Sequence, residues 1–384
     1  MRHAAETLHV TQPAVTYAIQ ALERWLDAKL FDRRHGGSFL TESGTILARR
    51  TRRLRAQLRA AIAAAIGAAP DSEAVTRLLR RLSDIHIRTL AAIAGASSFR
   101  VAAASLGLAE PTLHRSAHEI EKLLQLALYR RSQSGLVMLP VGAELARRML
   151  LAMVEIRAGL AELRGQSGSG EERITLGILP LAPGRKLAEI TRDLLEQHLG
   201  LRISLLEGAY DDHIVALRHG AIDMIFGALR DIPPYDDLAA HPIFDDPYCV
   251  VCRKGHTLAG RGGIRPADLS RFGWVFPTPS LPRRAVLDAI LREWGLAATV
   301  QVETNSPSAI TASILASERL GLWPRSYVDG EMSLASLAVL DLTVPQPRRQ
   351  VGVTHRKDWL PTPVQAAFLS RLLAGSGGVS PLRC

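Results

Sequence analysis

The feature that most constrains this chain is an internal repeat that runs without a gap. Ala4-Ala5-Glu-Thr-Leu-His-Val-Thr-Gln-Pro-Ala-Val-Thr recurs 98 positions later as Ala102-Ala103-Ala-Ser-Leu-Gly-Leu-Ala-Glu-Pro-Thr-Leu-His. The register persists, pairing Pro13 with Pro111, Glu23 with Glu121, Leu30 with Leu128, Arg33 with Arg131, Gly44 with Gly142, and Ala48-Arg49-Arg50 with Ala146-Arg147-Arg148. The N-terminal part must therefore hold two copies of one small unit. At 384 residues the whole chain divides into two or three domains.

The first copy reads as helices joined by a tight turn. Thr11 is placed to cap a helix, and Pro13 falls in its first turn, where a missing N–H costs little. Val15, Ile19, Leu22 and Leu26 make one apolar stripe, while Gln12, Thr16, Tyr17 and Gln20 lie off it. Ala4, Ala5 and Leu8 mark a short preceding helix, joined through His9-Val10, so the pair reads as helix-turn-helix. The following segment from Leu30 to Gly44 has a basic, glycine-containing tip between two short apolar stretches, the pattern of a winged hairpin. Arg33 and Arg34 would then reach phosphates while Gln12, Thr16 and Gln20 approach base edges in the major groove. A long helix is expected from Glu42 to about Ala65. Its Arg49, Arg50, Arg52, Arg53, Arg55 and Arg59 form a solvated face, and Ile46, Leu47, Leu54, Leu58 and Ile62 offer a seam to a partner.

Charge agrees with this reading. The net charge is +10, and residues 1–60 hold 11 Arg or Lys against 5 Asp or Glu, so double-stranded DNA is the expected polyanion. No apolar run is long enough for a membrane span and no secretory signal opens the chain, which predicts a cytoplasmic protein with no membrane partner. Cys249 and Cys252 fall in an expected strand, where positions three apart face opposite sides, so their role is structural and no metal or cofactor is expected. No Gly-x-Ser-x-Gly elbow, P-loop or His-Glu-x-x-His occurs, which argues against an enzyme.

Ala-Ala-Glu-x-Leu-x-Val-Thr-Gln-Pro-Ala-Val-Thr, Leu-Glu-x-x-Leu, Lys-Leu-Phe-Asp-Arg and Leu-Thr-Glu-x-Gly, in that order, resemble the winged helix-turn-helix of LysR-type transcriptional regulators. The resemblance places Thr11, Gln12, Pro13, Ala14, Thr16, Tyr17 and Gln20 at the start of the recognition helix and Arg33 and Arg34 in the wing. It also implies an apolar scaffold helix about twenty residues before Ala4, for which the first copy has no room, so that copy is expected to be truncated. The second copy keeps this helix around Ile85–Ala94 but has Glu110 where the first has Gln12, and a less basic wing. Thr112, His114, Arg115 and His118 are its candidate DNA-facing residues. A carboxylate near the groove is repelled by phosphate unless it accepts from a cytosine amino group. Which copy reads DNA stays open.

Gly165-Gln-Ser-Gly-Ser-Gly-Glu-Glu reads as a flexible linker. Beyond it strands and helices alternate, the pattern of a mainly parallel α/β sheet. Two such subdomains, joined by crossing strands near 228–230 and late in the chain, resemble the family's periplasmic-binding-protein-like effector domain. The resemblance rests on Arg202-Ile-x-Leu-x-Glu-Gly, Leu217-Arg-x-Gly-x-Ile-Asp and Asp246-Pro-Tyr-x-Val-Val-x-Arg-Lys-Gly-His-Thr-Leu. Ligands in such sheets bind beyond the strand C-termini, near free helix N–H groups. That selects Leu179, Pro180 and Leu181; Gly208, Ala209 and Tyr210; Thr278 and Ser280; and Asn305 and Ser306. Pro180 and Leu181 stand where the family often has Ser or Thr, which favours an apolar or aromatic effector over a simple carboxylate.

The expected architecture is multidomain. A winged helix-turn-helix with linker helix spans 1–66, a second 80–164, an effector-binding α/β domain 172–374, and a disordered tail 375–384. The expected function is transcriptional regulation by a homodimer or homotetramer that answers a small-molecule effector. The alternative is a small-molecule-binding module whose degenerate DNA-binding units act through protein partners.

Overall fold

The computed structural model describes residues 2–34, 37–96, 98–132, 135–166, 172–230, 235–297, 299–330, 336–345 and 349–374, with backbone alone for 2, 8, 33, 34, 131, 132, 135, 166 and 282. The expected tail at 375–384 and most of the expected linker lie outside these residues. The described chain forms two compact units, residues 1–172 with 218–221 and 361–363, and the remainder.

In the first unit the repeat is visible element by element. Helices α1 (Arg2–Leu8) and α2 (Gln12–Leu26), the hairpin β1 (Phe31–Arg34) and β2 (Gly37–Leu40), and the long α3 (Glu42–Ile66) make the first copy. Then come α4 (Glu73–Arg81) and α5 (Asp84–Ala94). The second copy follows as α6 (Phe99–Leu106), α7 (Glu110–Leu124), β3 (Tyr129–Ser132), β4 (Gly135–Met138) and α8 (Pro140–Gln166).

The copies share their unusual backbone. The turn between the two short helices needs a left-handed residue, supplied by His9 (φ 54°) and by Gly107 (φ 66°). Each recognition-type helix ends the same way, at Asp27 (φ 51°) and Gln125 (φ 56°). Glu23 Oε1 accepts the Leu30 N–H at 2.8 Å, and Glu121 Oε1 accepts the Leu128 N–H at 2.8 Å. This bond to Leu30 holds the Glu23 carboxyl below its ordinary value, against the opposing effect of burial. A Cβ on Gly44 would lie 2.1 Å from the Leu30 carbonyl oxygen, and one on Gly142 2.1 Å from that of Leu128. Only glycine lets the long helix begin so close to the strand before the wing.

The copies differ in what covers them. In the second, α5 packs on α6, α7 and α8, and buries Leu90 and Ile93 against Ala117, Ile120, Leu145 and Ala146. Among the described residues the first copy has no counterpart of α5. Ile19, Leu22, Leu47 and Ala48, which correspond to those four covered residues, instead line an open groove of about 370 Å³.

The second unit holds two five-stranded sheets. The first has the order β6 (Leu201–Glu207), β5 (Glu172–Ile178), β7 (Met224–Ala228), β14 (Arg349–Arg356), β8 (Leu238–Asp246). The second has the order β11 (Val300–Glu303), β10 (Trp274–Phe276), β12 (Leu320–Pro324), β9 (Tyr248–Arg253), β13 (Leu337–Val339). Both are mixed rather than mainly parallel, because β14 runs antiparallel to β7 and β8, and β9 antiparallel to β12 and β13. Helices α9 (Gly184–Gln197), α10 (Tyr210–Arg218) and α14 (Pro363–Leu373) accompany the first sheet. Helices α11 (Pro282–Glu293), α12 (Pro307–Leu315) and α13 (Arg325–Gly330) accompany the second.

The first crossing between the sheets is not at 228–230. The chain stays in the first sheet through β8 and passes to the second at Pro247, between Asp246 and Tyr248. Proline has no N–H to give to a ladder, so a strand can change sheets there without leaving a donor unpaired. Cys249 and Cys252 lie on β9 and enter different apolar clusters, as strand alternation predicts. Burial pushes their thiols up to about 12 and about 11.

Candidate DNA interface and effector cleft

The Thr11 hydroxyl accepts the Ala14 N–H at 3.4 Å, so the sequence-expected cap starts α2. Thr11, Gln12, Pro13, Ala14, Tyr17 and Gln20 are exposed and Thr16 is half-buried. They form a polar strip on one helix face, with Tyr17 68% exposed. The backbone of Arg33 and Arg34 lies in the outward strand of the hairpin, while their side chains lie outside the described atoms.

On α7, Glu110, Thr112, Arg115 and His118 are exposed. His114 is not wholly free for DNA, because its ring stacks on Phe99 at 3.8 Å and its Nε2 lies 3.9 Å from Glu110. That packing leaves Arg115 as the unencumbered cation of the second strip.

The basic run of α3 is more than a solvated face. Arg50 is buried, donating through Nε to Glu162 Oε1 at 2.8 Å and through Nη1 to Glu155 Oε2 at 2.8 Å, with a further bond to Glu162 from Nη2. Arg49 reaches Glu162 at 2.6 Å and Arg53 reaches Glu155 at 2.8 Å. Sequence reasoning found the apolar seam of α3 but not this network. The available signal was Glu155 and Glu162 seven apart, which puts both carboxylates on one face of α8.

In the first sheet β5 and β6 are neighbours, and the Gly208 N–H donates to the Ile178 carbonyl at 3.2 Å, drawing together the two candidate segments that follow them. Leu179 and Leu181 do not line an open site. Leu179 packs with Ile214, Leu217, Ile222 and Ile225, and Leu181 enters the core of the other subdomain beside Val251, Ile310 and Trp323. Burying a leucine contributes about 1.5–3 kcal/mol, which explains why these side chains turn inward and leave Pro180 exposed. Gly208 and Tyr210 are half-buried and Ala209 is exposed. Arg230 covers the Tyr210 ring at 4.0 Å, and burial raises that phenol.

In the second sheet β10 and β11 are parallel neighbours, so Thr278, Ser280, Asn305 and Ser306 follow adjacent strand ends. Thr278 Oγ1 lies 3.1 Å from Ser280 Oγ, and Ser306 caps α12 by accepting the Ala309 N–H at 3.3 Å.

The sequence reading did not single out Arg283 and Arg349. Arg349 donates to Asp246 at 3.0 Å and to the Leu181 carbonyl at 2.5 Å, tying the first sheet to the segment that crosses the cleft. Asp246 also accepts from the Ser326 N–H at 2.9 Å and the Ser326 hydroxyl at 2.7 Å. Arg283, in the first turn of α11, is half-buried and makes no hydrogen bond or ion pair among the described residues. Burial pushes its guanidinium down to about 10; Tyr248 opposes this and the like charge of Arg349 adds to it. No sequence pattern separates such a cation from an ordinary helix-surface arginine.

Comparison with known proteins decides the family. The model of the LysR substrate binding domain matches residues 167–376, more than half of the chain. The model of bacterial regulatory helix-turn-helix proteins of the lysR family matches twice, at 1–45 and 85–143. The chain belongs to the LysR family. It is a DNA-binding transcriptional regulator with a C-terminal effector-binding domain, and not an enzyme.

Among curated LysR-type relatives, the HTH-type transcriptional regulator GalR of Pseudomonas putida is 26% identical over 96% of this chain and 91% of its own length. A full-length OxyR variant from Pseudomonas aeruginosa shares the fold with a TM-score of 0.56 at 19% identity, covering 77% of this chain and 94% of that one. Full-length CbnR in complex with its target DNA shares it with a TM-score of 0.53 at 16% identity, over 77% of this chain and all of that one. No described helix of this LysR protein is long and apolar enough to cross a membrane.

Proposed function

We propose that this regulator acts in the cytoplasm, as a homodimer or higher oligomer, and reads DNA through the exposed strips of α2 and α7. Gln12, Thr16, Tyr17 and Gln20 form the first strip and Thr112, Arg115 and His118 the second, with Arg33 and Arg34 of the first hairpin for the phosphate backbone. The observation that carries this reading is the pair of corresponding helices, α2 and α7, that each present hydrogen-bonding side chains outward from the positions next to their N-termini. A duplex enriched from a random library on the purified chain tests it. Gln12→Ala and Arg115→Ala should each reduce discrimination at particular base pairs by about tenfold to a hundredfold, with little change in binding to unrelated duplexes. Equal loss on all sequences would reduce these residues to non-specific contacts, and no loss would remove them from the interface.

The effector reading follows from Arg283. A desolvated cation with no described partner, beside Tyr248 and Tyr327, suits a ligand with one acidic group and an apolar or aromatic body. Aromatic carboxylates should raise the melting temperature of the wild-type chain and leave that of Arg283→Met unchanged. Equal shifts from neutral analogues would refute the acidic group.

A further inference from the structure

We propose that one chain is by itself a paired DNA reader, in which α3 and α8 hold the two winged units as halves of a pseudo-twofold pair that spans two half-sites of different sequence. This rests on the DNA-binding reading above and goes beyond it.

The geometry comes from the repeat and from the seam. Arg50 crosses Gly159, where a Cβ would lie 3.3 Å from the Arg50 Cβ, so α8 has room for the arginine stem. Further along α3, Leu58, Ala61 and Ile62 share one buried cluster with Leu145, Ala146 and Met149, which precede Gly159 on α8. Ascending positions on one helix thus meet descending positions on the other, and the pair is antiparallel. Exchanging the repeats maps Arg50 onto Arg148 and Gly159 onto Ala61. Ala61 lies in that same buried cluster, and an antiparallel pair that sets position 50 opposite 159 also sets 61 opposite 148. The register therefore returns to itself when the copies are swapped, which is the property of a twofold interface.

The charges then select this pairing. Glu155 and Glu162, the partners of Arg49, Arg50 and Arg53, correspond on α3 to Gln57 and Ala64. An α3 laid on a second α3 in the same register would bury Arg50 with no carboxylate opposite, a strongly unfavourable state. α3 is thus built for α8, and the structure provides an α8 in the same chain.

Readers related by a twofold axis bind half-sites a whole number of helical turns apart on one face of the duplex. Here the readers are chemically unequal. The first offers Gln12 and Gln20, suited to adenine, and the second offers Arg115, suited to guanine, with Glu110 able to accept from cytosine. The site is accordingly directional rather than palindromic.

The test uses the full chain and a duplex enriched from a random library, read by hydroxyl-radical footprinting and native mass spectrometry. A complex of one chain per duplex should protect two major-groove segments separated by a multiple of about 10–10.5 base pairs. Gln12→Ala should lose discrimination only in one segment and Arg115→Ala only in the other. Inserting five base pairs between them should weaken binding about as much as scrambling one segment. Protection of a single segment by a lone chain overturns the proposal, as does action of both substitutions on the same base pairs, or two-segment protection that requires two chains. Should no duplex be enriched at all, the DNA-binding reading fails first and this inference falls with it.

Discussion

Replacing Arg50 by methionine probes the α3–α8 seam directly. The Arg50 and Glu162 side chains are each 2% exposed and that of Glu155 is 8% exposed, so removing the guanidinium leaves two carboxylates in a dry interface. Breaking one partner from a buried ionic group costs about 3–5 kcal/mol, because the remaining charge is neither solvated nor paired. Arg49 and Arg53 still reach the same carboxylates from more exposed positions, 47% and 30%, which favours the lower end, about 3 kcal/mol. Since about 1.4 kcal/mol is a factor of ten, local opening of the helix pair should become roughly a hundredfold more frequent.

Hydrogen exchange read on peptides from α3 and α8 reports that opening without requiring the whole chain to unfold in one step. Two controls locate the cause. Arg53→Met removes a partly solvated bond and should lose only about 1 kcal/mol or less. Arg50→Met combined with Glu155→Met and Glu162→Leu replaces the ionic cluster by apolar side chains of similar size and should recover most of the protection. If Arg50→Met left exchange within about threefold of wild type while the triple variant exchanged faster, the cluster would be a solvated surface network and the energetic argument would be wrong.

Gly44→Ala and Gly142→Ala should each destabilise the winged unit by about 3 kcal/mol or more, because the added Cβ meets a backbone oxygen that cannot rotate away; a thermal melt showing either variant within a degree of wild type would refute the close approach. His241 and His355 stack with Nε2 atoms 3.0 Å apart, and burial lowers both pKa values, so the unfolded chain binds more protons than the folded one as pH falls through the unfolded value near ~6.5. The contribution is present above that pH and lost below it. Urea midpoints should therefore drop between pH 7.5 and 5.5 in the wild type and less steeply in His241→Gln. Fusing a second copy of the segment Ser83–Ser98 ahead of Met1 keeps the repeat register and should seat an α5-like helix in the groove lined by Ile19, Leu22 and Leu47; the melting temperature should rise by several degrees, and no rise would mean the groove is not a helix seat.

Much of this molecule was legible in the residues, and what was not has physical reasons. Local signals carried well: the Thr11 cap and the α3 span depend on capping and periodicity. Helix α4 was missed. It is held by one buried residue, Val75, and a Ser72 cap, and no long periodic stripe announces it. Leu179 and Leu181 were misplaced because a segment after a strand reads as an open loop until the opposing subdomain supplies apolar partners. Arg283 and the Glu155–Glu162 pair gain their meaning only from what folds against them.

The inequality of the two copies follows from where their cores are closed. Both keep the Glu-to-Leu backbone bond and the glycine approach, so both hold the same turn and wing geometry. The second covers the whole apolar face of its reading helix, with Leu113, Ala117 and Ile120 each at most 1% exposed. In the first, Leu22 remains 38% and Trp25 67% exposed, and α2 is held by α1 and by the bond between Glu23 and Leu30, the residue on which α3 begins. Rigidity on that side must then come through α3, and α3 is fixed by its charges on α8. Helix α3 meets the wing strand β2 of the first copy and α7 of the second, so a substitution at Arg50 should be felt in both copies although it touches neither reading helix.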